Sequence, residues 1–221
     1  MNTKNTYAVF GLGRYGMAVT KELLKNGADV MGVDIDEETV CDAAMEIPVC
    51  KCADVTDINV LKQLDIANID IVIIAMASNL EASVLAVTLC KEIGVKTVIA
   101  KCANEMHQKI LSRVGADRVV FPEKESGTRL AKNLLSSNIV DMIELSDNVA
   151  ILNIDIPKSW AGKTLSELNP RKKYGINILG IRKKSDIIID INPEMPLEDD
   201  VGLIIIADAK KVNKLMQIIQ K

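Results

Sequence analysis

The stretch Tyr7-Ala8-Val9-Phe10-Gly11-Leu12-Gly13-Arg14-Tyr15-Gly16 decides the fold. Its first four residues read as a strand, and the glycine-rich turn opens the amphipathic segment Arg14–Lys25. There Val19, Leu23 and Leu24 recur at helical spacing. In such a turn Gly11 permits the tight bend and Gly13 lets a phosphate approach the backbone. Gly16 lets the helix pack against the strand. The helix start offers unpaired N–H groups and a positive dipole end to an anion. A GxGxxG alone is a weak signal; here the strand, turn and helix follow in the required order.

Working outward, Val30–Val33 reads as a second strand, and Asp34 ends it 18 residues beyond Gly16. A carboxylate there accepts hydrogen bonds from ribose hydroxyls and repels a 2′-phosphate. A helix cap is the plainer role for such an aspartate. The pattern does not separate NAD or NADH from ATP or ADP. Arg14 stands at a helix start, where cations are disfavoured, so either a solvated side chain or a phosphate partner accounts for it.

Further aliphatic runs, Val49–Lys51, Ile71–Ala75, Val98–Lys101 and Val119–Phe121, alternate with helix-like segments. Six strands, each followed by a helix, predict a Rossmann-like, doubly wound parallel sheet of α/β class over residues 1–137. Residues 138–221 read as a small α+β domain. Its strands are expected at Val149–Ile156, Ile176–Ile181, Ile187–Ile191 and Leu203–Ala207. The capping box Thr164-x-x-Glu167 opens a short helix that Pro170 closes. Ala209–Gln220 predicts a final helix with Val212, Leu215, Met216 and Ile219 on one face. This domain is small enough to need a partner for its apolar surface, which makes dimerisation the expectation.

Composition narrows the classes. Hydrophobic residues make up 48% and aromatics only 3%, so the core is aliphatic, as parallel sheets favour. A net charge of -3 gives no reason to expect nucleic acid. No run approaches the ~18 apolar residues of a membrane span, and the first residues carry no apolar signal core. A cytoplasmic protein is expected. Cys41, Cys50, Cys52, Cys90 and Cys102 form no CxxC pair and read as buried free thiols.

Several segments beyond the glycines resemble the Ktr/Trk-type RCK proteins, regulators of potassium conductance. They are Val33-Asp34-Ile35-Asp36, Ala53-Asp54-Val55-Thr56, Ala75-Met76-Ala77-Ser78-Asn79, Lys101, the run Gly115 to Glu123, and Leu168 to Gly175. The likeness covers nearly the whole chain. It implies N-terminal and C-terminal RCK domains, homodimers built into an octameric ring, and a potassium-translocating membrane subunit as partner. The protein would then lie peripheral to the inner face of the membrane. The resemblance also implies exchange of ATP and ADP at Gly11, Gly13, Arg14, Tyr15 and Gly16, with Asp34 on the ribose. Asp54 and Val55 would flank the adenine, and Asn79 and Lys101 would face the pocket. Arg14 would reach the γ-phosphate in a neighbouring subunit. Glu123 would help hold Mg²⁺ or Ca²⁺ beside ATP, although a cap or a solvated carboxylate is the plainer role. In the second domain the resemblance implies cyclic di-AMP at Leu165, Ser166, Arg171, Asn177 and Ile178. Ser166 stands where the family's pocket tends to be aliphatic.

Two other functions compete. An NAD-dependent oxidoreductase needs an acid–base group beside the nicotinamide, and the single histidine, His107, sits in the helical stretch Asn104 to Lys109. A nucleotide-sensing transcriptional regulator needs a helix-turn-helix and a basic face; only the short clusters Arg171–Lys173 and Arg182–Lys184 are basic. Gly162-Lys163-Thr164 imitates the end of a P-loop, but Pro157 occupies the position of its first glycine. The expectation is therefore a non-enzymatic regulator.

Overall fold

The computed structural model describes residues 5–135, 139–146, 148–184 and 186–208. The chain divides into two compact units, Met1–Lys124 and Glu125–Lys221. The first runs β1 (Thr6–Phe10), α1 (Arg14–Lys25), β2 (Asp29–Asp34), α2 (Glu37–Ala44), β3 (Cys50–Cys52), α3 (Ile58–Gln63), β4 (Ile71–Ile74), α4 (Leu80–Glu92), β5 (Thr97–Lys101), α5 (Glu105–Arg113) and β6 (Arg118–Val120), and α6 (Pro122–Leu135) follows. Every strand pair is parallel, in the order β3-β2-β1-β4-β5-β6.

Alternation along each strand places its side chains on two separate cores. Ala8, Phe10, Val72 and Ile74 enter one, while Val9 and Ile73 enter the other. With both faces covered, the central strands must be apolar at every position, which explains the unbroken Ile71–Ile74. Helix starts are fixed by local side chains. Asp36, Asp57, Asn79 and Asn104 accept the N–H of Thr39, Asn59, Ala82 and His107 at 2.8, 2.8, 3.0 and 2.9 Å. His107 is thus half-buried on the first turn of α5.

The second unit holds an antiparallel sheet of order β10-β9-β11-β8-β7. Its elements are β7 (Ile139–Ser146), β8 (Val149–Asp155), α7 (Leu165–Leu168), α8 (Pro170–Tyr174), β9 (Asn177–Lys183), β10 (Asp186–Ile188) and β11 (Gly202–Asp208). Leu152, Ile154, Leu203 and Ile205 line one face beneath Trp160, whose ring lies 5.4 Å from that of Tyr174. The helix expected over residues 209–220 lies outside the described residues.

Several expectations need correction. The sequence reading had no β7, because register shifts at both of its ends interrupt the strand's alternation. β10 stops at Ile188, and Ile189 is exposed. The capping box forms, with Thr164 N–H donating to Glu167 at 2.9 Å and Glu167 N–H to Thr164 at 3.2 Å. Pro170 does not close that helix. Asn169 ends it in the left-handed region at φ 45°, and Pro170 opens α8 at its first turn, where its missing N–H costs nothing. Only two thiols are fully buried, Cys90 and Cys102, while Cys41 and Cys52 are exposed. Cys52 lies on the edge strand β3 and Cys41 on α2, whereas Cys90 is in α4 and Cys102 directly follows β5, both in the core.

Candidate functional site

Between β1 and β4 the sheet reverses its winding, because the chain proceeds from β1 to β2 on one side and from β4 to β5 on the other. Loops leaving neighbouring strands in opposite directions open a crevice at their carboxyl ends, where ligands of such sheets bind. A cleft of about 250 Å³ lies there, lined among others by Gly11, Asp34, Asp54, Val55, Met76 and Asn79. Five expected site residues from four separate loops thus meet in one cleft. Val33, Ile35, Ala53, Thr56, Ser78 and Ala82 also line it, and the sequence reading assigned none of these a role.

The glycine loop is shaped by steric necessity at two positions. Gly11 has φ +91°, and a Cβ there would sit 3.2 Å from the backbone nitrogen of Met76. At Gly16 a Cβ would stand 1.9 Å from the carbonyl oxygen of Gly11, so the clash is with the loop itself. A Cβ on Gly13 would meet nothing within 4 Å. The protein's own packing does not require a glycine there.

Asp34 closes the loop. Its Oδ2 accepts the Leu12 N–H at 2.7 Å and its Oδ1 the Asp36 N–H at 3.0 Å. The carboxylate therefore fixes the turn between two glycines, and each oxygen keeps lone-pair capacity for a further donor. It does not cap α2; Asp36 does. Asp54 accepts the Thr56 hydroxyl at 2.6 Å and the Thr56 N–H at 2.9 Å. These two bonds, the hydroxyl first, hold Asp54 below the ordinary carboxylate range against a small opposing effect of burial. Asn79 both lines the cleft and caps α4.

The remaining expected residues fall outside that lining. Gly13 and Arg14 are the N-cap and first residue of α1, both exposed. Lys101, at the end of β5, places its ammonium 5.3 Å from the centre of the Tyr15 ring and 2.7 Å from Glu123. Its side chain is only 15% exposed, so Glu123 supplies the compensating charge. The bond from Lys101, chiefly, holds the Glu123 carboxylate below its usual range. Among the described residues no group of three or more His, Cys, Asp or Glu side chains could hold a metal ion.

In the second unit a more open cleft of about 390 Å³ is lined by Leu165, Ser166, Arg171, Ile176, Asn177 and Ile178, with Asn169 and Pro170. All five residues proposed there from sequence fall on it. Gly162-Lys163-Thr164 makes no phosphate cradle. Gly162 N–H donates to the Leu197 carbonyl at 2.8 Å, and Leu197 N–H donates to the Lys163 carbonyl at 3.0 Å. Among the described residues no helix is long and apolar enough to cross a membrane.

Comparison with known proteins places both units. The TrkA-N domain family matches residues 7–122 and the TrkA-C domain family residues 149–220. Ktr system potassium uptake protein C of Bacillus subtilis is 38% identical over 203 residues, covering 91% of this chain and 92% of its own. Ktr system potassium uptake protein A of the same organism is 36% identical over 208 residues, 94% of each chain. Among solved structures the GsuK channel superposes on 100% of this chain with a TM-score of 0.73 at 17% identity, a likeness of fold. This chain spans 40% of that channel's length.

Proposed function

Since the chain belongs to the Ktr/Trk family of TrkA-N and TrkA-C proteins, we propose that it is the regulatory subunit of a potassium uptake system, gated by an adenine nucleotide. The observation that carries this reading is Asp34, held by the Leu12 N–H at 2.7 Å in the cleft at the switch point of the sheet. An adenosine ribose would donate its hydroxyls to that carboxylate, and its phosphates would lie over Gly13 at the start of α1. Ile35, Val55 and Met76 supply apolar surface for the base beside the polar Asp54 and Asn79. The apolar and polar lining suits ATP and ADP, and NAD or NADH shares the same adenosine and pyrophosphate. Calorimetry with ATP, ADP and NADH tests the choice: NADH bound much more tightly than either adenine nucleotide rejects it.

Regulation requires groups that tell ATP from ADP, because a ligand shifts an equilibrium only through contacts that differ between states. Arg14 at the exposed start of α1 is the candidate for the γ-phosphate, reaching into a neighbouring subunit of a dimer-built ring. Lys101, Tyr15 and Glu123 form the next polar group. A Mg²⁺ or Ca²⁺ ion would need the oxygens of ATP, since Glu123 offers one carboxylate already engaged by Lys101. The membrane subunit is the partner, which places this chain at the membrane's inner face. The second unit's cleft would hold cyclic di-AMP: Leu165 and Ile178 against the base, Arg171 on a phosphate and Asn177 on a polar edge. Micromolar binding lost in Arg171→Ala supports this; no heat on titration rejects it. The likeness to Ktr system potassium uptake proteins favours regulation over hydride transfer.

A further inference from the structure

Among the described residues two hydroxyl side chains are fully buried, Thr20 and Ser83. Both lie on helices that follow the strands flanking the switch point, α1 after β1 and α4 after β4. The Thr20 hydroxyl donates at 2.9 Å to the Gly16 carbonyl, four residues back on its own helix, the usual local partner of a helical threonine. Ser83 differs. Its hydroxyl lies 2.9 Å from two carbonyl oxygens, those of Asn79 and Met76. Asn79 is the N-cap of α4, but Met76 lies outside the helix, seven residues back and just beyond β4. A hydroxyl has one proton, so the two carbonyls share it, and residues 76–79 are drawn onto the first turn of α4.

Residues 76–79 are a wall of the first unit's cleft. Met76, Ser78 and Asn79 line it, whereas Ser83 lies behind them and outside the lining. The backbone bond across this turn is long, the Asn79 N–H reaching the Met76 carbonyl at 3.4 Å, so the hydroxyl is the closer tie. The turn also abuts the glycine loop, since a Cβ on Gly11 would sit 3.2 Å from the Met76 nitrogen. A role in the helix alone does not account for the serine: alanine is smaller, needs no partner when buried and is the better helix former. Resting on the reading that this cleft holds an adenine nucleotide, we propose that Ser83 is its positioning residue. The hydroxyl sets residues 76–79 against the base without touching the ligand.

In that reading the base lies against Met76 and Asn79, and the phosphates lie over Gly13. Loosening residues 76–79 therefore weakens the hold on the part that ATP and ADP have in common. The choice between the two nucleotides is left alone, because no contact that differs between them is changed.

The test is calorimetry on the full chain with ATP and ADP, alongside amide hydrogen exchange. Ser83→Ala should weaken both nucleotides by about three- to tenfold, the span of one neutral hydrogen bond's net contribution, and leave their ratio unchanged. Exchange at the Asn79 amide should quicken, with Val87 and Cys90 further along α4 unaffected. Ser83→Thr, which keeps the hydroxyl, should stay close to wild type in both readouts. A role in helix stability alone shifts the melting temperature, and exchange along all of α4, without touching either affinity. Unchanged affinities in Ser83→Ala overturn the positioning role, and so does an equal loss in Ser83→Thr; either result leaves the cleft as a nucleotide site. A wild-type chain that binds neither nucleotide overturns the nucleotide reading, and this inference with it.

Discussion

Replacing Asp34 separates two roles that one carboxylate holds. In Asp34→Ala the part-buried Leu12 N–H loses its 2.7 Å partner, while the Asp36 N–H is exposed and finds water. Only the first loss is expected to cost appreciably. A hydrogen bond to a charged group contributes about 1.5–3 kcal/mol, and about 1.4 kcal/mol corresponds to a factor of ten. Hydrogen exchange at the Leu12 amide should therefore accelerate by about 10 to 150-fold, read locally so that unfolding of the two units need not be separated. Asp34→Asn keeps one acceptor oxygen for Leu12 and should stay within about tenfold of wild type by the same scale. Both variants lose the charged acceptor for ribose, so ATP and ADP affinity should fall in both, by about a hundredfold or more in alanine, where two contacts disappear. If Leu12 remains protected in Asp34→Ala, the loop is held by its backbone bond from Gly11 to Val33 at 2.8 Å instead, and the reasoning fails.

Gly16→Ala should destabilise the first unit by about 3 kcal/mol or more, at or beyond the top of the usual overpacking range, because the obstructing atom is backbone; a wild-type melting profile would contradict it. Arg14→Ala should keep ADP binding but blunt the difference in solution scattering between the ATP and ADP forms. For Asp54 the sign follows from its lowered titration: the turn it holds is stabilised above the ordinary carboxylate range near pH ~4 and loses that support as pH falls through the lowered value. Thr56→Val removes the larger cause and should raise the Asp54 titration measured by NMR. Iodoacetamide at pH ~8, near the free thiol range, should label exposed Cys41 and Cys52 quickly and spare Cys90, whose burial pushes it to about 12.

The first unit was legible because its strands are short, separate and apolar at nearly every position, so boundaries and order could be read from runs alone. The expected strand at Val119–Phe121 came within a residue of the observed Arg118–Val120. The second unit was harder to read for physical reasons. β7 carries register shifts that break alternation, and the left-handed Asn169 ends the expected helix so that Pro170 opens a second one the reading lacked. In the site, glycines and strand-end acids were visible because their residue types are demanded by local geometry. Ile35 and Ser78 were not, since they line the cleft from loop positions that any small or apolar residue could hold. The bond from Leu12 to Asp34 spans 22 residues, and Ser166 meets Glu194 across 28; no local period reports such pairs.

A coupling between binding and shape follows from where Asp34 sits. A ligand hydroxyl donating to Asp34 shares the carboxylate with Leu12 and Asp36, whose N–H groups set the loop and the exit of β2. In the proposed reading this contact is common to ATP and ADP, so it can order the loop but cannot report which nucleotide is bound. The report must come from beyond the second phosphate. The Lys101–Glu123 pair fits that requirement, since a little-exposed ammonium held by a single carboxylate can exchange it for a phosphate oxygen. Such an exchange would release Glu123, at the first turn of α6, the helix with which the chain leaves the first unit. Lys101→Met should therefore bind ADP nearly as wild type does and lose the extra affinity for ATP. Equal loss for both nucleotides would instead assign Lys101 to the shared phosphates, and leave Arg14 as the discriminating contact.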